Sequence, residues 1–127
     1  MKTLILATLL CTLAAPAFAD DAPVATLICN LADLGKPLDQ ANIFNVVVSL
    51  KANEDKELPA GYQGRTYSVM THDWSDSNGG TPRHQITVSA RAADGSVVGS
   101  AMAIYSVELP ELQFQIGSNV LLDCMPK

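Results

Sequence analysis

Alternation of apolar and polar residues is the dominant pattern of this chain between residues 24 and 124. Short runs rich in β-branched and aromatic residues are separated by clusters of Gly, Pro, Asn and Asp, which is typical of antiparallel strands joined by turns. The pattern predicts strands at residues 24–29, 43–51, 65–71, 85–91, 97–107, 112–116 and 120–124. We therefore expect an all-β fold, a small antiparallel β-sandwich or barrel of six to seven strands.

The segment 85–105 allows the most detailed prediction. Asp94-Gly95 is a favoured pair for a two-residue type I′ turn between two strands. Counting back from this turn gives a register in which small residues lie beside larger ones on the buried face, with the pairs Ala90–Gly99, Val88–Ala101 and Ile86–Ala103. The opposite face is half apolar, because the same register pairs Thr87 with Met102 and Gln85 with Ile104.

The first nineteen residues have the three parts of a secretory signal peptide. Lys2 supplies a positive start, residues 4–13 are mostly apolar, and Ala17 and Ala19 flank Phe18 as an A-x-A exit. The apolar run is about half of the roughly 20 residues that a membrane-spanning helix needs. We expect residues 1–19 to be cleaved, leaving residues 20–127 as a single periplasmic or secreted β domain.

Cleavage would leave two of the three cysteines, Cys29 and Cys124. Two cysteines in an exported chain usually form a disulfide, because the compartment is oxidising. A catalytic redox pair is usually spaced C-x-x-C, whereas these two residues are 95 positions apart. The spacing predicts a structural disulfide that closes the fold.

The net negative charge of the chain disfavours some classes of binding partner. The whole chain has a formal net charge of −5, which becomes −6 without Lys2. An acidic domain is repelled by nucleic acids and anionic lipids, so neither is an expected partner. The acidic segment 53–57, which contains Glu54 and Asp55, is a candidate contact for a cationic protein, although a solubilising loop is the more common role of such a segment.

The polar segment 72–82 is the strongest candidate for a binding loop, because long loops on rigid sheets often carry function. Its candidate binding residues are His72, Asp73, Trp74, Asp76 and Asn78. His72 and His84 flank the segment and would form a zinc or copper site if a hairpin brought them together. The spacing matches no established metal motif, so we expect neither a metal ion nor a cofactor.

Three functional hypotheses remain from the sequence. The first is a non-enzymatic binding domain for a protein or small ligand, such as an inhibitor or adaptor for a basic envelope protein. The second is a structural envelope component that self-associates through sheet edges, and the third is a metal-binding domain. An enzyme is disfavoured because the chain contains neither a G-x-S-x-G nor an H-E-x-x-H motif. The oligomeric state stays open at this point.

Overall fold

Eight strands are present in the computed structural model, which describes residues 22–74 and 83–127. The expected signal peptide, residues 1–19, lies outside the described residues. The strands alternate between buried and exposed positions along most of their length, as the sequence pattern predicts. They are β1 Ala25–Asp33, β2 Asn42–Leu50, β3 Asp55–Glu57, β4 Thr66–Trp74, β5 Arg83–Arg91, β6 Val97–Tyr105, β7 Leu112–Ile116 and β8 Val120–Pro126.

The strands form two antiparallel sheets of four, and no helix is present in the described ranges. Sheet A has the order β2-β1-β8-β7 and sheet B has the order β3-β4-β5-β6. The all-β prediction is confirmed, and the closed-barrel alternative is wrong because the two sheets do not join. A single core contains buried residues from both sheets, among them Leu27, Leu31, Leu50, Tyr67, Val69, Ile86, Val88 and Leu122.

The prediction of six to seven strands is also wrong, because β3 lies inside the segment expected to be a loop. Its three residues, Asp55–Glu57, are charged and exposed, so no alternation of apolar residues reveals them. They become a strand by pairing with residues 68–70 of β4. The adjacent strands are longer than predicted: β4 continues to Trp74 and β5 begins at Arg83, so residues 72–74 of the predicted loop belong to β4. Residues 75–82 lie outside the described residues.

The β5–β6 hairpin has the predicted register but a different turn. All five predicted pairs are present: Ala90–Gly99, Val88–Ala101, Ile86–Ala103, Thr87–Met102 and Gln85–Ile104. The loop has three residues instead of two, since Ala92 faces Ser96 and Gly95 has a positive φ of 86°. A β-bulge beside Arg91 then shifts the register by one residue in the opposite sense, so the two differences cancel.

The predicted cysteine pair joins two neighbouring strands of sheet A. Cys29 of β1 lies directly opposite Cys124 of β8, and their sulfur atoms are 2.11 Å apart, a bonding distance. Both residues are fully buried. The disulfide therefore links the first and last strands of the fold in the middle of its core.

Gly99 is a point of close approach between the two sheets. A Cβ atom added at this residue would lie 2.7 Å from the ring of Phe114 in β7 and 3.2 Å from the side chain of Ile116. We expect Gly99→Val to lower the free energy of unfolding by about 1–3 kcal/mol, because the Phe114 ring must move to admit the new side chain. Urea denaturation of the purified domain measures this change.

The neighbouring residue provides a matched control for this prediction. Ser100 is exposed on the other face of β6, so Ser100→Val should change stability by less than about 0.5 kcal/mol. Combining Gly99→Val with Phe114→Ala should make the Gly99 change less costly than it is alone. Equal costs at Gly99 and Ser100 would contradict the close contact with Phe114.

Two carboxylates meet where β7 begins. The hydrogen bond that protonated Glu111 donates to Asp123, together with the repulsion between the two carboxylates, raises the pKa of Glu111 above its ordinary value. A carboxyl group with a raised pKa in the folded state stabilises the fold when protonated, and this stabilisation is lost as the pH rises through that pKa. The folded domain is therefore disfavoured by ionised Glu111 near neutral pH.

This arrangement predicts a pH-dependent effect of Glu111→Gln. The variant should melt at a higher temperature than the parent protein at about pH 7, and the difference should shrink at about pH 4, where Glu111 is protonated. Thermal melts followed by circular dichroism measure it. Glu108→Gln removes the same charge from an exposed position nearby and controls for overall charge. A pH-independent difference, or the same gain from Glu108→Gln, would contradict the carboxylate contact.

Candidate functional site

A row of three polar side chains crosses sheet B at the end where β4 stops at Trp74 and β5 starts at Arg83. Asp73, His84 and Tyr105 lie directly opposite one another on β4, β5 and β6. The Nδ1 atom of His84 is 2.7 Å from Oδ1 of Asp73, and because a carboxylate only accepts, Nδ1 carries the proton of this hydrogen bond. The rings of His84 and Tyr105 are 5.3 Å apart. The row therefore fixes the ends of three strands relative to one another.

Tyr105 connects this row to sheet A. Its hydroxyl donates a hydrogen bond to the backbone carbonyl of Val24, just before β1, at 3.0 Å. Burial, with a smaller contribution from the negative charge of Asp73, raises the pKa of Tyr105 above its ordinary value. The hydroxyl thus remains protonated at neutral pH and can keep donating this bond.

The loop between β2 and β3 is held against the same strand end. The backbone N–H of Asp73 donates to Oδ1 of Asn53 at 2.9 Å, and the N–H of Glu54 donates to Oγ1 of Thr71 at 3.1 Å. Oγ1 of Thr71 in turn donates to the carbonyl oxygen of Lys51. Asn53 adopts a positive φ of 55°, a conformation that Asn tolerates better than most residues. The two segments predicted to form a binding surface are therefore in direct contact.

Of the candidate residues whose side chains the structure describes in this region, His72 lies apart from Asp73 and His84. His72 is exposed on the outer face of β4, opposite Gln85, whereas His84 points to the inner face and contacts Asp73. Successive residues of a strand point to opposite faces, so the sheet separates the two histidines. Trp74 ends β4 opposite Arg83. Asp76 and Asn78 lie outside the described residues.

The two candidate carboxylates of the 53–57 segment have different surroundings. Glu54 accepts a hydrogen bond from the backbone N–H of Lys51 at 2.6 Å and lies 3.6 Å from the Lys56 ammonium group. The bond from Lys51 is the larger cause of a lowered pKa at Glu54. Asp55 is exposed on β3 and, with Glu57 and Arg91, lines an open depression of about 340 Å³ on the outer face of sheet B. Of these two candidates, Asp55 can bind a partner directly, whereas Glu54 would first have to break its contacts with Lys51 and Lys56.

An apolar patch lies on the same outer face. Met70, Thr87 and Met102 lie opposite one another across β4, β5 and β6, and Ile104 follows two positions along β6. Met70 is 42% exposed, Met102 is 58% exposed and Ile104 is 50% exposed. The half-apolar face predicted for the β5–β6 hairpin is thus confirmed, and Met70 extends it onto β4.

The opposite end of the fold is closed by polar contacts of its own. The carboxylate of Asp33, at the end of β1, accepts hydrogen bonds from the Tyr62 hydroxyl and from the N–H of Gly35 at 3.0 Å. The bond from Tyr62 is the main cause of a lowered pKa at Asp33. The Lys36 ammonium group lies 5.3 Å from the centre of the Tyr62 ring. These contacts join the 33–36 turn to the 62–65 turn and serve the fold.

Sequence reasoning missed three residues that organise the candidate site: Asn53, Thr71 and Tyr105. The position of Tyr105 could have been predicted, because extending the predicted hairpin register places Tyr105 opposite His84. Nothing local indicates the contacts of Asn53 and Thr71, since their partners are 17 to 20 residues away in the chain.

The described parts of the chain contain no group of three or more His, Cys, Asp or Glu side chains placed to hold a metal ion. In those same parts, no helix has the length and apolar character needed to cross a membrane. Searches of protein-family models, of curated proteins and of solved structures found no match to this chain.

Proposed function

We propose that this chain is a non-enzymatic binding domain of the periplasm or the extracellular space, which binds a cationic protein partner as an inhibitor or adaptor. The signal-like residues 1–19 and the buried cysteine pair support export to an oxidising compartment. The binding surface is the end of the sandwich formed by the 53–57 segment, the last residues of β4 and the first residues of β5. Residues 75–82 connect β4 to β5 along the chain.

One observation carries this proposal: the 51–54 loop is braced against β4 at the point where the 75–82 segment begins. Asn53 binds the backbone of Asp73, and Thr71 contacts both Lys51 and Glu54. A loop held by a rigid sheet loses little conformational freedom on binding, which favours affinity. The Asp73–His84 contact holds the end of β4 against the start of β5.

Charge supports a cationic partner. The formal net charge, −6 without residues 1–19, attracts basic proteins over long distances and speeds their association. Asp55 and Glu57 place two exposed carboxylates on β3, with Asp55 directly after the braced loop and Glu57 two residues further along, opposite Ser68. Binding that depends on these groups should weaken as salt screens them.

Partner capture on immobilised mature protein tests the proposal. A native envelope extract is applied at low salt and then washed at high salt, and we expect one basic protein to be retained and then released. Replacing residues 75–82 by a short Gly-Ser turn should abolish capture, because the change removes the segment but keeps the Trp74–Arg83 strand pair. Asp55→Lys/Glu57→Lys should also reduce capture strongly.

Asp39→Lys is the matched control, since it changes an exposed carboxylate in the turn region at the opposite end of the fold. Its capture should resemble that of the parent protein. A partner that is retained equally by all variants, or the absence of any salt-released protein, would contradict the proposed surface.

A further inference from the structure

The two edges of the sandwich differ in how well they are protected against pairing with another strand. At one edge β3 lies beside β2 of the other sheet, and the Lys56 ammonium group donates a hydrogen bond to the carbonyl oxygen of Ser49 at 2.7 Å. Lys56 pairs with the buried Val69, so it is a charged residue on the inner side of an edge strand. Together with the flanking Asp55 and Glu57, it blocks the addition of another strand there.

The other edge, formed by β6 over β7, has neither feature. β6 has nine residues, VVGSAMAIY, and none of them is charged. Its inward-facing residues Ala101 and Ala103 are only partly buried, as is Phe114 of β7, whereas the inward residues Ile86 and Val88 of the adjacent β5 are fully buried. The core is therefore incompletely covered along this edge.

We propose that β6 pairs antiparallel with β6 of a second copy of this chain, giving a symmetric dimer with a continuous eight-stranded sheet. An edge strand presents unpaired backbone N–H and C=O groups that another strand can satisfy. The same elements of the second copy, including its Phe114, would cover the partly buried alanines. Dimers with two-fold symmetry use the same patch on both copies, and this strand fits that requirement.

The sequence of β6 is self-complementary when the two strands are centred on Ala101. Gly99 then faces Ala103 of the second copy and Ala101 faces its own counterpart, so small side chains meet at the centre of the inner side. On the outer side Ser100 faces Met102, and the exposed Met102 of each copy is shielded from water. No like charges are opposed, which would destabilise the pair.

Salt distinguishes this dimer from the binding of a cationic partner. Each copy is acidic, with a formal net charge of −6 without residues 1–19, so the two copies repel at long range. Screening that repulsion should preserve or strengthen the dimer, whereas it should weaken a complex with a basic protein. The dimer is independent of the proposed partner surface, and each can fail alone.

A charge-swap experiment tests the pairing. The mature, disulfide-bonded protein is studied by sedimentation equilibrium over a wide concentration series, and we expect a monomer–dimer equilibrium. In the double variant Ser100→Lys/Met102→Lys, each Lys faces a Lys of the other copy, so two pairs of like charges are opposed. Ser100→Glu/Met102→Glu opposes two pairs of negative charges in the same way. Each double variant should dimerise at least about tenfold more weakly than the parent protein. An equimolar mixture of the two variants should restore a dimer, because Lys then faces Glu.

Met70→Lys is the control, because it adds a charge to the same outer face two strands away from the β6 edge. It should leave the dimer unchanged, and circular dichroism should show that every variant is folded. The proposal is overturned by a parent protein that stays monomeric throughout the series, by loss of the dimer in Met70→Lys, or by variants that fold but do not recombine on mixing.

Discussion

Cys29→Ala/Cys124→Ala is expected to lower the free energy of unfolding by about 4–5 kcal/mol. The disulfide joins residues 95 positions apart, so it removes much of the conformational freedom of the unfolded chain. A domain of this size has a total stability of about 5–15 kcal/mol, so the loss is a large part of it. Urea denaturation of the mature protein, with and without the two substitutions, gives the difference.

Chemical reduction of the parent protein provides an independent control for this prediction. Reduced protein should lose about as much stability as the double variant, while Cys11 should have no effect because it lies in the expected signal peptide. A loss below about 1 kcal/mol in both cases would contradict a stabilising role for the disulfide.

Phe44→Ala is expected to lower the free energy of unfolding by about 3–5 kcal/mol. Phe44 belongs to β2 of sheet A, and its ring meets that of Tyr67, in β4 of sheet B, edge to face with centroids 6.0 Å apart. Truncation opens a cavity between the two sheets. Urea denaturation measures the loss, and a cycle with Tyr67→Leu isolates the contribution of the ring pair.

Val47→Ala is the matched control on the same strand. Val47 is 54% exposed on the outer face of β2, so its truncation should change stability by no more than about 0.5 kcal/mol. If Phe44→Ala and Val47→Ala had the same small effect, the two sheets would not share a core at this position.

The register of the β5–β6 hairpin was predictable from the sequence because alternation has a period of two. A shift by one residue would move Ile86, Val88 and their neighbours out of the core, so the burial pattern restricts the register strongly. The turn and the bulge beside Arg91 were not predictable. The longer turn shifts the register by one residue and the bulge shifts it back by one, so the pairs beyond the bulge are the same as with a two-residue turn. The correct pairs were therefore obtained with the wrong turn.

The two-sheet arrangement was only partly predictable. Alternation identifies the buried face of each strand but not the strand that lies beside it, so sandwich and barrel remained equally open. β3 could not be recognised, because its pairing depends on the free edge of β4 and not on its own charged residues. Long-range pairing is decided by packing, which a local pattern does not contain.

The candidate site was predictable as a region but not as a set of contacts. The sequence singled out the segments near residues 54 and 73, and the structure places them together through Asn53 and Asp73. It did not indicate that His72 and His84 lie on opposite faces, because the end of β4 was expected to be a loop. Once the strand continues to Trp74, the faces of these residues follow from strand geometry alone.

Site-specific photo-cross-linking is the most direct test of the central claim, that the braced end of the sandwich binds a cationic partner. A photoreactive phenylalanine analogue is placed at Asp55 or at Arg83, both exposed at that end, and at Asp39 as the distant control. We predict that the first two positions cross-link the same basic envelope protein and that the third does not. Cross-links from Asp39 alone, or none from Asp55 and Arg83, would contradict the proposed function.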